Sequence, residues 1–305
     1  ANGPDNGDLN LTAPAAGDPP ISILGAGRAS TIIDANQIDR VLKVQNGRSA
    51  TISDVTLRNG YLLATTDSGG GIRNDGVLAL SHIEVSGNAA VGDFGYGGGI
   101  SSGGELSITD GTISGNSAEQ DGGGIFARRS LTLTDCTISQ NSSAGSGGGI
   151  YSFANFSTIT MVNSTVSLNN ANSDGGGIFA IAANIYNSTI VGNGADADAD
   201  VNGGIGGGVF AQPGSTVNLS NTLVAGNTLF NAPIYDDCYG TLTSYRSNIF
   251  GEVSIFCTIA VGGGDGWTFL NSLAFLGQLD RNGGPTETIA LLPGSNAIDL
   301  GDSTL

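Results

Sequence analysis

The chain has 305 residues, 51 of them glycine, and a formal charge of −17 with only ten lysines plus arginines. So acidic a surface repels phosphate backbones and anionic lipid, which excludes nucleic acid and charged membrane surfaces as partners. No run approaches a membrane span, so no membrane insertion is expected, and the Asp excess implies solubility and an affinity for divalent cations.

Residues 1–20 are rich in Gly, Pro, Asp and Asn and read as an irregular N-terminal cap. From about residue 21 to about residue 260 a repeat runs without a linker, which argues for one elongated domain. Its clearest mark is a Gly-Gly-Gly-Ile or Gly-Gly-Gly-Val block ending at Ile72, Ile100, Ile125, Ile150, Ile178 and Val209, at steps of 28, 25, 25, 28 and 31 residues. Each repeat carries three short runs in which Ile, Leu and Val alternate with Thr and Ser. In one repeat these are Gly122–Phe126, then Leu131-Thr132-Leu133-Thr134, then Cys136-Thr137-Ile138-Ser139. Period-2 alternation over such short, β-branched runs specifies strands, and helices are nearly absent. The third run ends on Asn59, Asn88, Asn116, Asn141, Asn169, Asn193 and Asn227, spaced 29, 28, 25, 28, 24 and 34. Two landmarks thus keep one register.

These features predict an all-β fold, a right-handed parallel β-helix with three strands per coil, roughly ten coils and irregular caps at both ends. At an inter-strand spacing of roughly 4.8 Å the rod is on the order of 50 Å long. The coils with their N-terminal cap are expected over 1–264 and a C-terminal cap over 265–305. The Asn column reads as a structural ladder in which each amide donates to the next. The glycines read as a tight corner needing positive φ and close backbone approach. A phosphate-binding loop is the other use of such glycines, but no Lys-Ser or Lys-Thr follows them and no helix starts there.

In chain order, the chemistry-bearing residues begin with His82, the one histidine, at a turn after Ser81 with Glu84 two residues on; a lone His usually sits on polar surface. Tyr96, Phe126, Tyr151, Phe179 and Phe210 fall near one repeat position. They form either a side-chain ladder or a carbohydrate-binding face. Arg128-Arg129 is a local positive pair at a corner, read as a solvated turn. Cys136 lies in a coil strand as a small buried hydrophobe. Asp196-Ala197-Asp198-Ala199-Asp200-Val201-Asn202-Gly203 places alternate carboxylates in a Gly-terminated turn, a pattern that wraps calcium, with Asp196, Asp198 and Asp200 as ligands. It lacks the Glu of an EF-hand, and a solvated acidic insertion is the other reading. Asp236-Asp237 has the composition of a glycosidase acid/base pair, but adjacent residues on a strand point to opposite faces. Cys238 and Cys257 flank a segment, Tyr239 to Phe256, that breaks the repeat. A disulfide there closes an irregular loop and implies an oxidising compartment.

The Gly-Gly-Gly-Ile coils, the opening Gly25-Ala26-Gly27-Arg28-Ala29-Ser30-Thr31-Ile32-Ile33-Asp34 and the run Ile38–Leu42 resemble secreted bacterial right-handed β-helix repeat proteins that end in a choice-of-anchor Q domain. The close is more specific: Asn282-Gly283-Gly284-Pro285-Thr286, Thr288, Ala290-Leu291, Pro293-Gly294-Ser295, Ala297-Ile298-Asp299 and Gly301 resemble that domain's signature. Asn296 stands where the family usually has Pro. Cys238 with Gly240–Ser244 and Cys257 also match its paired-cysteine stretch. The resemblance implies an exported protein, secreted or at the cell surface, and supplies no catalytic set.

The expected function is therefore non-catalytic: a surface scaffold, adhesion module or fibre subunit that self-associates end to end through open strand edges. Calcium is the one cofactor expected. The enzyme reading is a polysaccharide hydrolase or lyase with a groove along the coil, and simple carbohydrate binding is a third.

Overall fold

The computed structural model describes residues 7–15, 18–63, 65–153, 157–199, 203–230, 234–262, 268–269, 275–284 and 286–301. They form an all-β parallel β-solenoid of about eight turns, with no helix among the described residues. Each turn follows from the alternation in the sequence, because one side chain of every two must enter the space enclosed by the coil.

In the first row of strands the residue closing each Gly block stacks on its counterparts. Leu42, Ile72, Ile100, Ile125, Ile150, Ile178, Val209 and Cys238 stand in strict register. All are at most 1% exposed. Burial of each aliphatic member stabilises the coil by roughly 1.5–3 kcal/mol. The second row sends Leu78/Leu80, Leu106/Ile108, Leu131/Leu133, Ile159/Met161 and Val217/Leu219 inward. The third sends Leu57, Val85, Ile113, Ile138, Val166, Ile190, Val224 and Phe250. One continuous apolar core results.

A fourth, short row follows the Asn positions, for example Ala89–Val91, Ser117–Ala118, Ser142–Ser143 and Asn170–Ala171. It escaped the sequence reading because its two or three residues are too few and too polar to alternate visibly. The segment Tyr239–Phe256, expected to break the repeat, also keeps it. Cys238–Arg246 continues the first and second rows and Asn248–Phe250 the third. Its inward positions Cys238, Leu242 and Phe250 are apolar even though its Gly block is gone, and Ser244 is the polar exception among them.

The corner between fourth and first rows accounts for the triple glycine. Gly97 has φ 66°, outside the range L side chains favour. A Cβ on Gly98 would lie 2.2 Å from Ser117 O, and one on Gly99 would lie 2.7 Å from Gly124 O and 3.0 Å from the Asn116 amide. Backbone closes on backbone there, so no larger residue fits.

Asp8 and Asp67 tie the N-terminal segment down. Asp8 Oδ2 lies 2.9 Å and Asp67 Oδ2 2.7 Å from the fully buried Arg40 guanidinium. Burial alone would raise Asp67, but Arg40, Lys43 and the Ser68 N–H hold its carboxyl below the ordinary value. At the other end, the irregular cap expected over 265–305 is, in its described part, a hairpin along the flank. Leu276–Asp280 pairs antiparallel with Thr288–Leu291. Thr137 Oγ1 donates to Glu287 O at 2.5 Å, and Leu276, Ala297 and Leu300 pack on Leu223, Ala225 and Ile249. The tail thus covers the outer face of the third row across several turns.

Candidate functional site

Two long columns of chemistry-bearing side chains run along the rod. The first is the Asn column. Asn88 donates from both its N–H (3.0 Å) and its Nδ2 (2.9 Å) to Asn116 Oδ1. The same pair of bonds links Asn116 to Asn141, Asn141 to Asn169, Asn169 to Asn193 and Asn193 to Asn227. The second Nδ2 hydrogen of each goes back to a third-row carbonyl, such as Val85 O from Asn116 and Ile113 O from Asn141. Every polar atom of these buried amides is used, the condition under which an interior polar network stabilises.

Asn59 is not part of this column. It has φ 56° and its Nδ2 donates to the Asp34 carboxylate at 3.0 Å. Gly60 takes the ladder position instead, its N–H donating to Asn88 Oδ1 at 2.7 Å. The Asn in this turn falls one residue early, on the positive-φ corner that Gly87, Gly115, Gln140 and Gly192 occupy in later turns.

The column ends on Asp237. Asn227 donates to Asp237 Oδ1 from N–H (2.9 Å) and Nδ2 (2.8 Å), while Glu252 N–H donates to Oδ2 at 2.7 Å. A run of amides all donating the same way must end on a group that only accepts, and a carboxylate is such a group. Asp237 occupies the place of the third block glycine, and the next turn has Val253 where earlier turns have the inward Asn. Burial pushes its carboxyl up to about 6. Its neighbour Asp236 is engaged separately, accepting from Gly206 N–H at 2.6 Å through Oδ2, and burial raises it as well. The two carboxylates thus serve different backbone groups instead of facing one bond.

The second column is aromatic and lies on the outer side of the first row. Tyr151, Phe179, Phe210 and Tyr239 stack at centroid distances of 4.5, 4.7 and 4.8 Å. Phe126 stacks on Tyr151 at 5.4 Å, with Tyr96 tilted over it at 4.8 Å and Phe256 closing the far end at 6.3 Å. Arg128 lies 5.3 Å above both the Phe126 and Phe153 rings. Such stacking adds about 0.5–1.5 kcal/mol per pair to the area buried. The faces of the inner rings are spent on one another, so along the middle of the stack mainly ring edges face outward. Burial pushes the Tyr151 hydroxyl up to about 12.

The remaining candidates are scattered. Asp196 is 2% exposed and its Oδ1 has no partner among the described residues, whereas Asp198 is exposed and Asp200 lies outside them. No group of three or more His, Cys, Asp or Glu placed to hold a metal occurs among the described residues. His82 stands on an αL corner, 60% exposed, with Nε2 3.3 Å from Asp110 Oδ2. Cys136 is buried and its thiol is pushed up to about 12 by that burial. Cys238 and Cys257 are joined in a disulfide. It links the last inward position of the first row to the final second-row strand.

Sequence reasoning missed a further column at the corner before the third row. There Ser164 Oγ accepts from Cys136 N–H, Ser188 Oγ from Ser164 N–H, and Asn248 Oδ1 from Thr222 N–H. Its signal is faint, since Ser and Thr abound throughout and their recurrence directly after an αL Asn (Asn163, Asn187, Asn221) is seen only once the turns are aligned.

Residues 110–128 and 135–152 match the Chlamydia polymorphic membrane protein (Chlamydia_PMP) repeat. Each stretch runs from the third row through a ladder Asn, Asn116 or Asn141, to a Gly block and its inward Ile. The likeness therefore covers the corner that both columns share, in two consecutive turns. No curated protein and no solved structure matches the chain.

Proposed function

We propose that the chain is a non-catalytic, rigid structural element of an exported or cell-surface protein, acting as a scaffold, adhesion module or fibre subunit. One observation carries the reading. The Asn column, Asp237 and the aromatic stack, which hold most of the chain's recurrent chemistry, are consumed in bonding each turn to the next. Chemistry spent along the axis produces stiffness. The match of two turns to a repeat of a Chlamydia membrane protein supports a surface location, and no helix among the described residues is long and apolar enough to cross a membrane. In the full proposal the solenoid is right-handed, with three principal strands in each of roughly ten coils. Residues 1–264 form the rod, and 265–305 form an end of the choice-of-anchor Q type. Copies associate end to end.

Imaging the purified chain by electron microscopy tests this. Rods that join into filaments support the fibre reading, and uniformly single rods of about 50 Å remove it. Protease shaving of intact cells tests the location: resistance of the chain on unlysed cells counts against the surface. Calcium at the 196–200 loop belongs to the proposal because an orphaned, buried Asp196 oxygen beside an exposed Asp198 suits a hard cation. Calorimetric titration with calcium chloride should give heat that Asp198→Asn diminishes. No heat with the unaltered chain removes calcium.

A further inference from the structure

At the corner between the first and second rows the turns differ in length. Gln45–Arg48 and Arg128–Ser130 are broad, whereas Asp75-Gly76 and Gly103-Gly104 between them are only two residues each. Both short turns depend on glycine, for a Cβ on Gly76 would lie 2.1 Å from Arg48 O and one on Gly104 would lie 1.8 Å from Gly76 O. The corner therefore sinks between two shoulders. It leaves a cleft of about 540 Å3 lined by Asn46, Asp75, Val77, Glu105, Arg129 and the turn glycines. That volume falls within the roughly 300–1,000 Å3 of small-ligand sites.

The lining restricts what the cleft accepts. The backbone donors of its two short turns are already spent: Val77 N–H on Arg48 O, Glu105 N–H on Gly76 O, Gly103 N–H on Asn74 O and Gly76 N–H on Asn74 Oδ1. A peptide strand could not add there by main-chain pairing. No aromatic side chain and no apolar pocket is available for an anchoring residue. Arg73 fixes the Asp75 carboxylate, with Nε 2.8 Å and Nη2 2.6 Å from Oδ1, and Oδ2 takes no part in that pair. The Glu105 carboxylate and the Arg129 guanidinium are exposed and have no partner among the described residues. Two carboxylates repel a phosphate or a uronate, and the guanidinium disfavours a simple cation. What remains is a neutral ligand whose hydroxyls donate to carboxylates and accept from a guanidinium, lying flat against a floor of glycine backbone.

We infer that this cleft, spanning four consecutive turns from Asn46 to Arg129, is a binding site for an uncharged oligosaccharide. Asp75 and Glu105 accept sugar hydroxyls and Arg129 donates to them. The inference rests on the cleft alone and is independent of the structural role proposed above. It also involves none of the residues of the aromatic column.

The test is isothermal titration of the full chain with uncharged hexasaccharides of glucose, mannose, galactose and xylose, beside oligogalacturonate and oligoglucosamine as charged controls. At least one neutral sugar should bind with a dissociation constant in the millimolar range or tighter. Glu105→Ala and Arg129→Ala should each weaken it roughly tenfold, as loss of a charge-assisted hydrogen bond does. Val77→Trp, on the exposed rim, should block the cleft. All three residues are exposed, so unchanged circular dichroism and melting temperature should show the fold intact. Absence of binding by every neutral sugar, binding by the charged controls alone, or equal affinity in the three variants would overturn the inference.

Discussion

Replacing Asn141 by Ala isolates what the amide column contributes. The wild-type side chain accepts from Asn116 N–H at 3.0 Å and Nδ2 at 2.9 Å, and donates to Ile113 O at 3.0 Å. Alanine leaves two buried donors unpaired, the Asn116 N–H and one Asn116 Nδ2 hydrogen, and takes one bond from the Ile113 carbonyl. At about 1–3 kcal/mol for each buried donor left without a partner, the cost is about 2–6 kcal/mol. For a chain of this size that lowers the melting temperature by on the order of 10 °C. Asn59→Ala supplies the contrast. Its amide reaches the exposed Asp34 carboxylate and bears on no other ladder residue, so its cost should stay within about 0.5–1 kcal/mol. Thermal melts followed by far-ultraviolet circular dichroism, with matched urea titrations, read both. Equal losses in the two variants, or a loss below about 1 kcal/mol for Asn141→Ala, would refute the reasoning that register, not residue type, makes the ladder.

Acidification should stabilise the rod in one window. Asp237 is raised from 3.8 to about 6 because burying its charge costs more than its three N–H donors return. The relief gained on protonation is therefore complete below the unfolded value and is lost as the pH rises through about 6. That amounts to at most about 3 kcal/mol. Asp121, Asp174 and Asp236 are raised by burial too and act in the same direction. The urea midpoint should therefore climb between pH 7 and pH 4.5, and Asp237→Asn should flatten part of that slope; a parallel slope in the variant contradicts the assignment. Reducing Cys238–Cys257, which closes a separation of 19 residues, should cost about 3 kcal/mol. Hydrogen exchange should then accelerate around 238–261 while the turns holding Asn88 to Asn141 keep their protection. Phe179→Ala, which removes a ring 8% exposed between Tyr151 and Phe210, should cost about 3–5 kcal/mol, read in the same melts. A cost near zero would mean the stack contributes no packing.

Most of the architecture was legible in the chain because a solenoid writes its tertiary contacts as a local period. Each turn meets only its neighbours, so what recurs along the sequence recurs along the axis. The Gly blocks, the alternating Ile and Leu and most of the Asn column could be read in that way, as could the bond between the two flanking cysteines. The candidate chemistry was less legible. Asp237 resembled half of an acid pair, because its role as acceptor for Asn227 depends on which residue the next turn puts opposite.

Sequence by itself determined that strands of fixed period must coil, since only stacking buries a face that each repeat exposes. Tertiary structure alone decided where the pattern stops. Asn59 and Asn88 are the same residue at nearly the same spacing, yet a shift of one position puts one amide on the exposed corner and the other inside. The flank covered by residues 275–301 and the sunken corner between Asn46 and Arg129 depend likewise on which atoms of distant turns meet. Periodicity specifies a neighbour's identity; only the closed coil specifies the register in which that neighbour arrives.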